Sequence, residues 1–84
     1  MEMTIEVIKE RMATFLKVPV SRIEDSMPLQ EVVADSFMMV ELLIELQEEY
    51  AIRLDQADLK DVATVSELTA LIKERADAVA LVEE

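Results

Sequence analysis

The 84-residue chain contains no cysteine, no histidine, no glycine and no tryptophan, and only two prolines. Without cysteine there is no disulfide, no thiolate metal site and no cysteine nucleophile. Without histidine the usual general base and the commonest metal ligand are missing, and no Ser-His pair can be assembled. Conventional hydrolase chemistry is therefore not expected. Without glycine the acidic EF-hand calcium loop, which turns sharply at a central glycine, is ruled out. No apolar run reaches the roughly 18 residues that span a bilayer, and the N-terminus lacks a charged-then-apolar signal pattern. A soluble, cytoplasmic protein is the expectation.

Positive charge is scarce and unevenly placed. Eight Lys and Arg face nineteen Asp and Glu, a formal net charge of −11. Residues 1–22 hold three acids and four bases, residues 23–52 eight acids and no base, and residues 53–84 eight acids and four bases. Phosphate repulsion disfavours nucleic acid, and the same sign disfavours anionic membrane surfaces. An electrostatic partner should be basic and should dock on the middle of the chain.

What is present is 52% hydrophobic residues in a length that suits one domain, expected to span residues 1–84 as a monomer. Four helical segments emerge, and nothing alternates with strand periodicity. The first runs from about Thr4, a plausible N-cap, to Lys17, with Ile5, Ile8, Met12, Phe15 and Leu16 on one face. Pro19 stops it, because the residue before a proline is pushed out of the helical region. Residues 18–35 read as a long connection interrupted by Pro28 and anchored by Val20, Ile23, Met27, Leu29 and Val32. Loops of this length in small domains are often functional. The second helix spans about Ser36–Tyr50, and a short third covers Asp55–Asp61 with Asp55 as cap. The fourth starts after Thr64, where Thr64-Val65-Ser66-Glu67 has the capping-box pattern, and its core stripe is Val65, Leu68, Leu71, Ile72, Ala76 and Val79. The expected class is all-α, an antiparallel bundle of three main helices and one short one.

The second helix has one apolar face more than a small bundle can bury. At 100° per residue, Met39, Leu42, Leu43, Leu46 and Tyr50 form the core side. Phe37, Val40 and Ile44 lie roughly opposite, interleaved with Glu41 and Glu48, while Met38, Glu45 and Glu49 occupy the flank. A helix buried all round is the plain alternative, but interleaved carboxylates are costly to bury unpaired. The second stripe is expected to stay exposed and to dock a greasy partner groove flanked by Arg or Lys, with Met38 as an adaptable contact.

Asp35-Ser36 heads this helix. Ser and Asp are ordinary N-caps, and Asp25-Ser26 occurs as well, so the dipeptide alone says little. Asp25-Ser26, however, runs into Met27-Pro28 and opens no long helix. Taken with its flanks, Ala34-Asp35-Ser36-Phe37-Met38-Met39-Val40-Glu41-Leu42-Leu43 resembles the Asp-Ser-Leu signature and downstream Val-Glu-Leu of the acyl carrier protein family. Glu45 to Tyr50, and Asp55 to Leu68 with Thr64-Val65, are similar to later parts of that family, so the resemblance covers nearly the whole chain.

The resemblance implies that Ser36 is the attachment site of a 4′-phosphopantetheine arm taken from coenzyme A by a phosphopantetheinyl transferase. It implies a carrier without catalytic activity that presents acyl groups to a ketosynthase, acyltransferase or acyl ligase with basic docking surfaces. By the same resemblance Asp35, Phe37, Val40, Glu41, Ile44 and Glu48 are partner contacts. Three positions depart from the family pattern. Val33 stands where a glycine is usual, removing access to positive φ; Phe37 replaces the usual Leu; and Met38 replaces a polar or acidic residue. The greasier helix head points to a dedicated pathway such as polyketide biosynthesis rather than fatty-acid synthesis. A peptidyl or aminoacyl carrier, including the D-alanyl type, shares the serine and stays open; an unmodified acidic interaction module is the reading from another class.

Overall fold

The computed structural model describes residues 4–82, and these follow one another as α1 (Ile5–Leu16), a 3-10 turn (Val20–Arg22), α2 (Leu29–Val32), α3 (Ser36–Tyr50), α4 (Gln56–Leu59) and α5 (Val65–Val82). Among the described residues there is no strand, only an isolated bridge between Pro28 and Thr64. The all-α class expected from periodicity is the observed one. None of the described helices is long and apolar enough to cross a membrane.

Each main helix begins where the sequence offers a cap. The Thr4 hydroxyl accepts the Val7 N–H at 3.2 Å and opens α1. At α5 the capping box closes in both directions: Thr64 Oγ1 accepts the Glu67 N–H at 3.2 Å, and Glu67 Oε1 accepts the N–H groups of Ala63 and Thr64 at 2.8 and 3.1 Å. Those two donors hold the Glu67 carboxyl below its ordinary value. Asp55 and Asp58 form a second such box at α4, where each carboxylate accepts the other's N–H.

Helix ends carry the cost of a chain without glycine. Lys17 (φ 61°) and Ala51 (φ 56°) adopt the left-handed conformation that usually falls to glycine. At the first, the Val18 N–H reaches Ala13 O at 3.0 Å and the Lys17 N–H reaches Thr14 O at 3.3 Å, so α1 ends in a Schellman turn. Pro19 follows this stop rather than making it.

The connection between α1 and α3, expected over residues 18–35 as a long anchored loop, also holds a 3-10 turn and α2. Pro28 blocks any helix running through it, but it stands at the N-cap in extended backbone (φ −62°, ψ 142°), and the chain coils directly behind it to give α2. The loop is tied to the start of α5 by backbone bonds from Leu29 N to Ala63 O (2.9 Å), Val65 N to Met27 O (3.0 Å) and Ser66 N to Asp25 O (2.9 Å). Its anchors also differ in part. Ile23 is buried and Met27, Leu29 and Val32 pack half-buried against the core, but Val20 is exposed. Val33 takes up the burial instead, in extended backbone (φ −132°) that needs no glycine.

α1 packs on both α3 and α5, and the core lies between them. Ile8, Met12, Leu42, Leu46, Val65, Leu68 and Ile72 are fully enclosed, each worth about 1.5–3 kcal/mol of burial. Ile5, on the core side of α1 by its spacing, is instead at the surface, as the first residue of the helix. Thr69 is the one buried polar residue among those described, and its hydroxyl bonds Val65 O (3.0 Å) and Ser66 O (3.2 Å). α4 stops at Leu59, short of the expected Asp61, where a tight turn from Leu59 O to Val62 N redirects the chain. Arg75 of α5 clamps it there, binding the Asp58 carboxylate and the Arg53 carbonyl (3.1 Å). That guanidinium hydrogen bond holds the Asp58 carboxyl down. α5 runs to Val82, which carries the stretch from Ala78 as helix; Glu83 and Glu84 lie outside the described residues.

Candidate functional site

Ser36 is the first residue of α3 and is exposed. The cap in front of it is Asp35, whose Oδ1 accepts the Phe37 N–H at 2.8 Å, and the first intrahelical bond is Met39 N to Asp35 O at 2.9 Å. Capping is thus discharged by the aspartate, and the serine hydroxyl is left out of it. The N–H groups of Ser36 and Met38 precede the first intrahelical bond, which leaves them open to solvent or to an anion at the positive end of the helix dipole. Buried Val33 fixes the chain three residues upstream, so the helix head is held by the core while its tip stays open.

The competing dipeptide is used otherwise. The Asp25 carboxylate pairs with Lys9 at 3.0 Å and its carbonyl accepts the Ser66 N–H, while Met27 N closes a turn onto Glu24 O at 3.1 Å. Ser26 therefore sits in a turn and heads no helix.

Below Ser36 runs the second face of α3. Phe37, Val40 and Ile44 are 69%, 52% and 48% exposed, and Met38 is 38% exposed. Glu41 and Glu48 are exposed among them. The opposite face is the core face: Leu42 and Leu46 are enclosed, and Met39, Leu43 and Tyr50 pack half-buried against the cluster. The structure thus brings Asp35, Ser36, Phe37, Met38, Val40, Glu41, Ile44 and Glu48 onto one helix and leaves all of them accessible.

Two features beside this ridge depend on α1 and are absent from the sequence reading. A shallow depression of about 290 Å³ lies between Phe15 of α1 and Glu41, Ile44 and Glu45 of α3. Phe15, assigned to the core by its spacing, also floors a notch at the ridge edge. Arg11 crosses from α1 to pair with Glu49 at 3.0 Å, which neutralises one acid of the base-free segment. Burial raises the Tyr50 phenol beside them, against the pull of the Arg11 guanidinium. Among the described residues, Glu41 and Glu48 on the ridge and Glu45 at its edge have no ion-pair partner.

An exposed hydroxyl at a helix head, left out of the capping bond, is suited to being modified. Over residues 6–72, a stretch that runs from α1 into α5 and contains all of α3, the sequence matches the family described as the phosphopantetheine attachment site. Comparison with curated proteins gave no match.

Proposed function

The chain belongs to the phosphopantetheine attachment-site family, and on that premise we propose that it is an acyl carrier protein whose arm is attached at Ser36. The family carries 4′-phosphopantetheine covalently; its domains are carriers, generally without catalysis of their own, and work with a phosphopantetheinyl transferase and synthases. Bound at Ser36, the arm supplies the thiol that this chain lacks, and acyl groups ride on it as thioesters.

The observation that carries the assignment is the division of labour at the head of α3. Asp35 takes the capping bond, so the Ser36 oxygen is free to be esterified without unravelling the helix. The open N–H groups and the positive end of α3 accommodate a phosphodiester there. The test is intact mass after incubation with coenzyme A and a broad-range phosphopantetheinyl transferase. The wild type and Ser26→Ala gain one phosphopantetheine each and Ser36→Ala gains none; modification of Ser36→Ala would falsify the assignment.

The exposed ridge suits a partner with a greasy groove and flanking bases, such as a ketosynthase, acyltransferase or acyl ligase, met by a monomeric carrier in the cytoplasm. The apolar head formed by Phe37 and Met38 supports a dedicated, polyketide-type pathway. Met38→Asp is expected to shift loading toward fatty-acid partner enzymes, and equal activity with both enzyme sets in the wild type would remove that reading. The acidity supports acyl over peptidyl or aminoacyl cargo, and a loading assay against acyl and amino-acid ligases separates them.

A further inference from the structure

The four described methionines differ sharply in access. Met12 is fully enclosed, Met27 and Met39 are half-buried against the core, and Met38 is 38% exposed, two residues from Ser36. With no cysteine or histidine in the chain, thioethers are the side chains most open to mild two-electron oxidation. Met38 is also where oxidation matters most. It lies on the flank of the α3 ridge, beside exposed Phe37 and near the head of the helix.

We propose that Met38 is a reversible oxidation site whose conversion to the sulfoxide weakens docking on the α3 ridge and slows loading of Ser36. This rests on the carrier reading above. In the step, the Met38 sulfur lone pair attacks one oxygen of hydrogen peroxide. The S–O bond forms as the O–O bond breaks, the departing hydroxide takes the proton of the new S–OH group and leaves as water, and sulfur loses the two electrons that peroxide gains. The product replaces a flexible apolar thioether with a polar, branched group that must be desolvated in any greasy groove. Because Met38 is exposed and takes no part in the core cluster, the core that holds α3 is untouched and the fold survives the change. Methionine sulfoxide reductase, with a thiol as reductant, returns the thioether.

The experiment uses the full chain treated with limiting hydrogen peroxide, read by peptide mass mapping and by transferase loading from coenzyme A. Met38 is expected to oxidise at least five-fold faster than Met12, Met27 and Met39. The ratio of loading kcat/KM before and after oxidation should be about ten in the wild type, fall to one after reductase treatment, and stay near one in Met38→Leu whatever that variant's own rate. Circular dichroism should not change. Uniform oxidation of the four, an unchanged wild-type ratio, or an equal loss in Met38→Leu would each overturn the proposal while leaving the carrier reading intact. Failure of the untreated protein to load at all would overturn the carrier reading, and this inference with it.

Discussion

At the scale of single residues, the missing glycines show as two strained helix ends. Ala51 at φ 56° holds a conformation that costs a residue with a Cβ about 1–2 kcal/mol. Ala51→Gly removes that cost and gives part of it back as unfolded-state entropy, for a net stabilisation of about 0.5–1 kcal/mol. Thermal melts should show Tm rising by several degrees in a domain of this size, and falling in Ala51→Val; an unchanged Tm in both would mean the site is unstrained. Glu67 makes a different residue-scale prediction. Its carboxyl is held below its ordinary value of 4.5 by the Ala63 and Thr64 N–H groups. A lowered native value stabilises the fold wherever the unfolded carboxyl is ionised, and that contribution is lost as pH falls through the native value. The Tm gap between wild type and Glu67→Gln should therefore be constant at pH well above the ordinary value of 4.5 and narrow as pH falls below it, since a protonated Glu67 resembles the amide. A gap that stays flat down to pH 3 would mean that the charge on Glu67 adds nothing to the box.

At the scale of elements, α3 does two jobs and shows both in its sequence. Its core face and its ridge are fixed by the 100° step, which depends on no other element, so Leu42 and Leu46 inside and Phe37, Val40 and Ile44 outside could be read directly. The caps at Thr4, Asp55 and Thr64 were equally local and equally legible. What the sequence did not disclose depends on how elements cross. The Phe15 notch and the Arg11–Glu49 pair join residues of α1 to α3, and periodicity within one helix carries no information about its neighbour. α2 is not legible because a proline reads as a stop, and the four-residue turn that follows Pro28 is too short to show a helical period. At Val33, where the family pattern has glycine, the backbone is extended and the side chain is a core anchor, which the pattern alone does not disclose. The Arg11–Glu49 pair also sharpens the choice of charges to reverse. Glu41 and Glu48 are free on the ridge, so Glu41→Lys and Glu48→Lys should each lower kcat/KM for transferase loading by roughly three- to ten-fold, mainly through association rate. The paired Glu49 serves as the comparison, and its reversal should affect stability more than loading. Equal loading by all three variants would remove charge from the docking account.

At the scale of the whole molecule, a net charge of −11 is spread over extents of 38 × 26 × 20 Å. At about 0.01 M salt the screening length of about 30 Å spans the bundle, so its acids repel one another across the whole fold. At about 1 M it shrinks to about 3 Å and only contact pairs still interact. Self-repulsion burdens the compact state more than the expanded one, because folding brings the charges together. Salt should therefore stabilise this protein even though it weakens the ion pairs of Lys9, Arg11, Lys73 and Arg75, since pairs at or near the surface contribute little each and the two that are partly covered, Lys9–Asp25 and Arg75–Asp58, are screened least. Docking responds with the opposite sign. The acids that repel within the chain are the ones that attract a basic partner, and screening removes that attraction with the same length scale. Across a series from about 0.01 to about 0.5 M sodium chloride, Tm should rise while kcat/KM for loading falls. The opposed slopes separate the interface from the fold: a loading rate that dropped together with Tm would trace the loss to unfolding, and one that held steady as Tm rose would take electrostatics out of partner recognition.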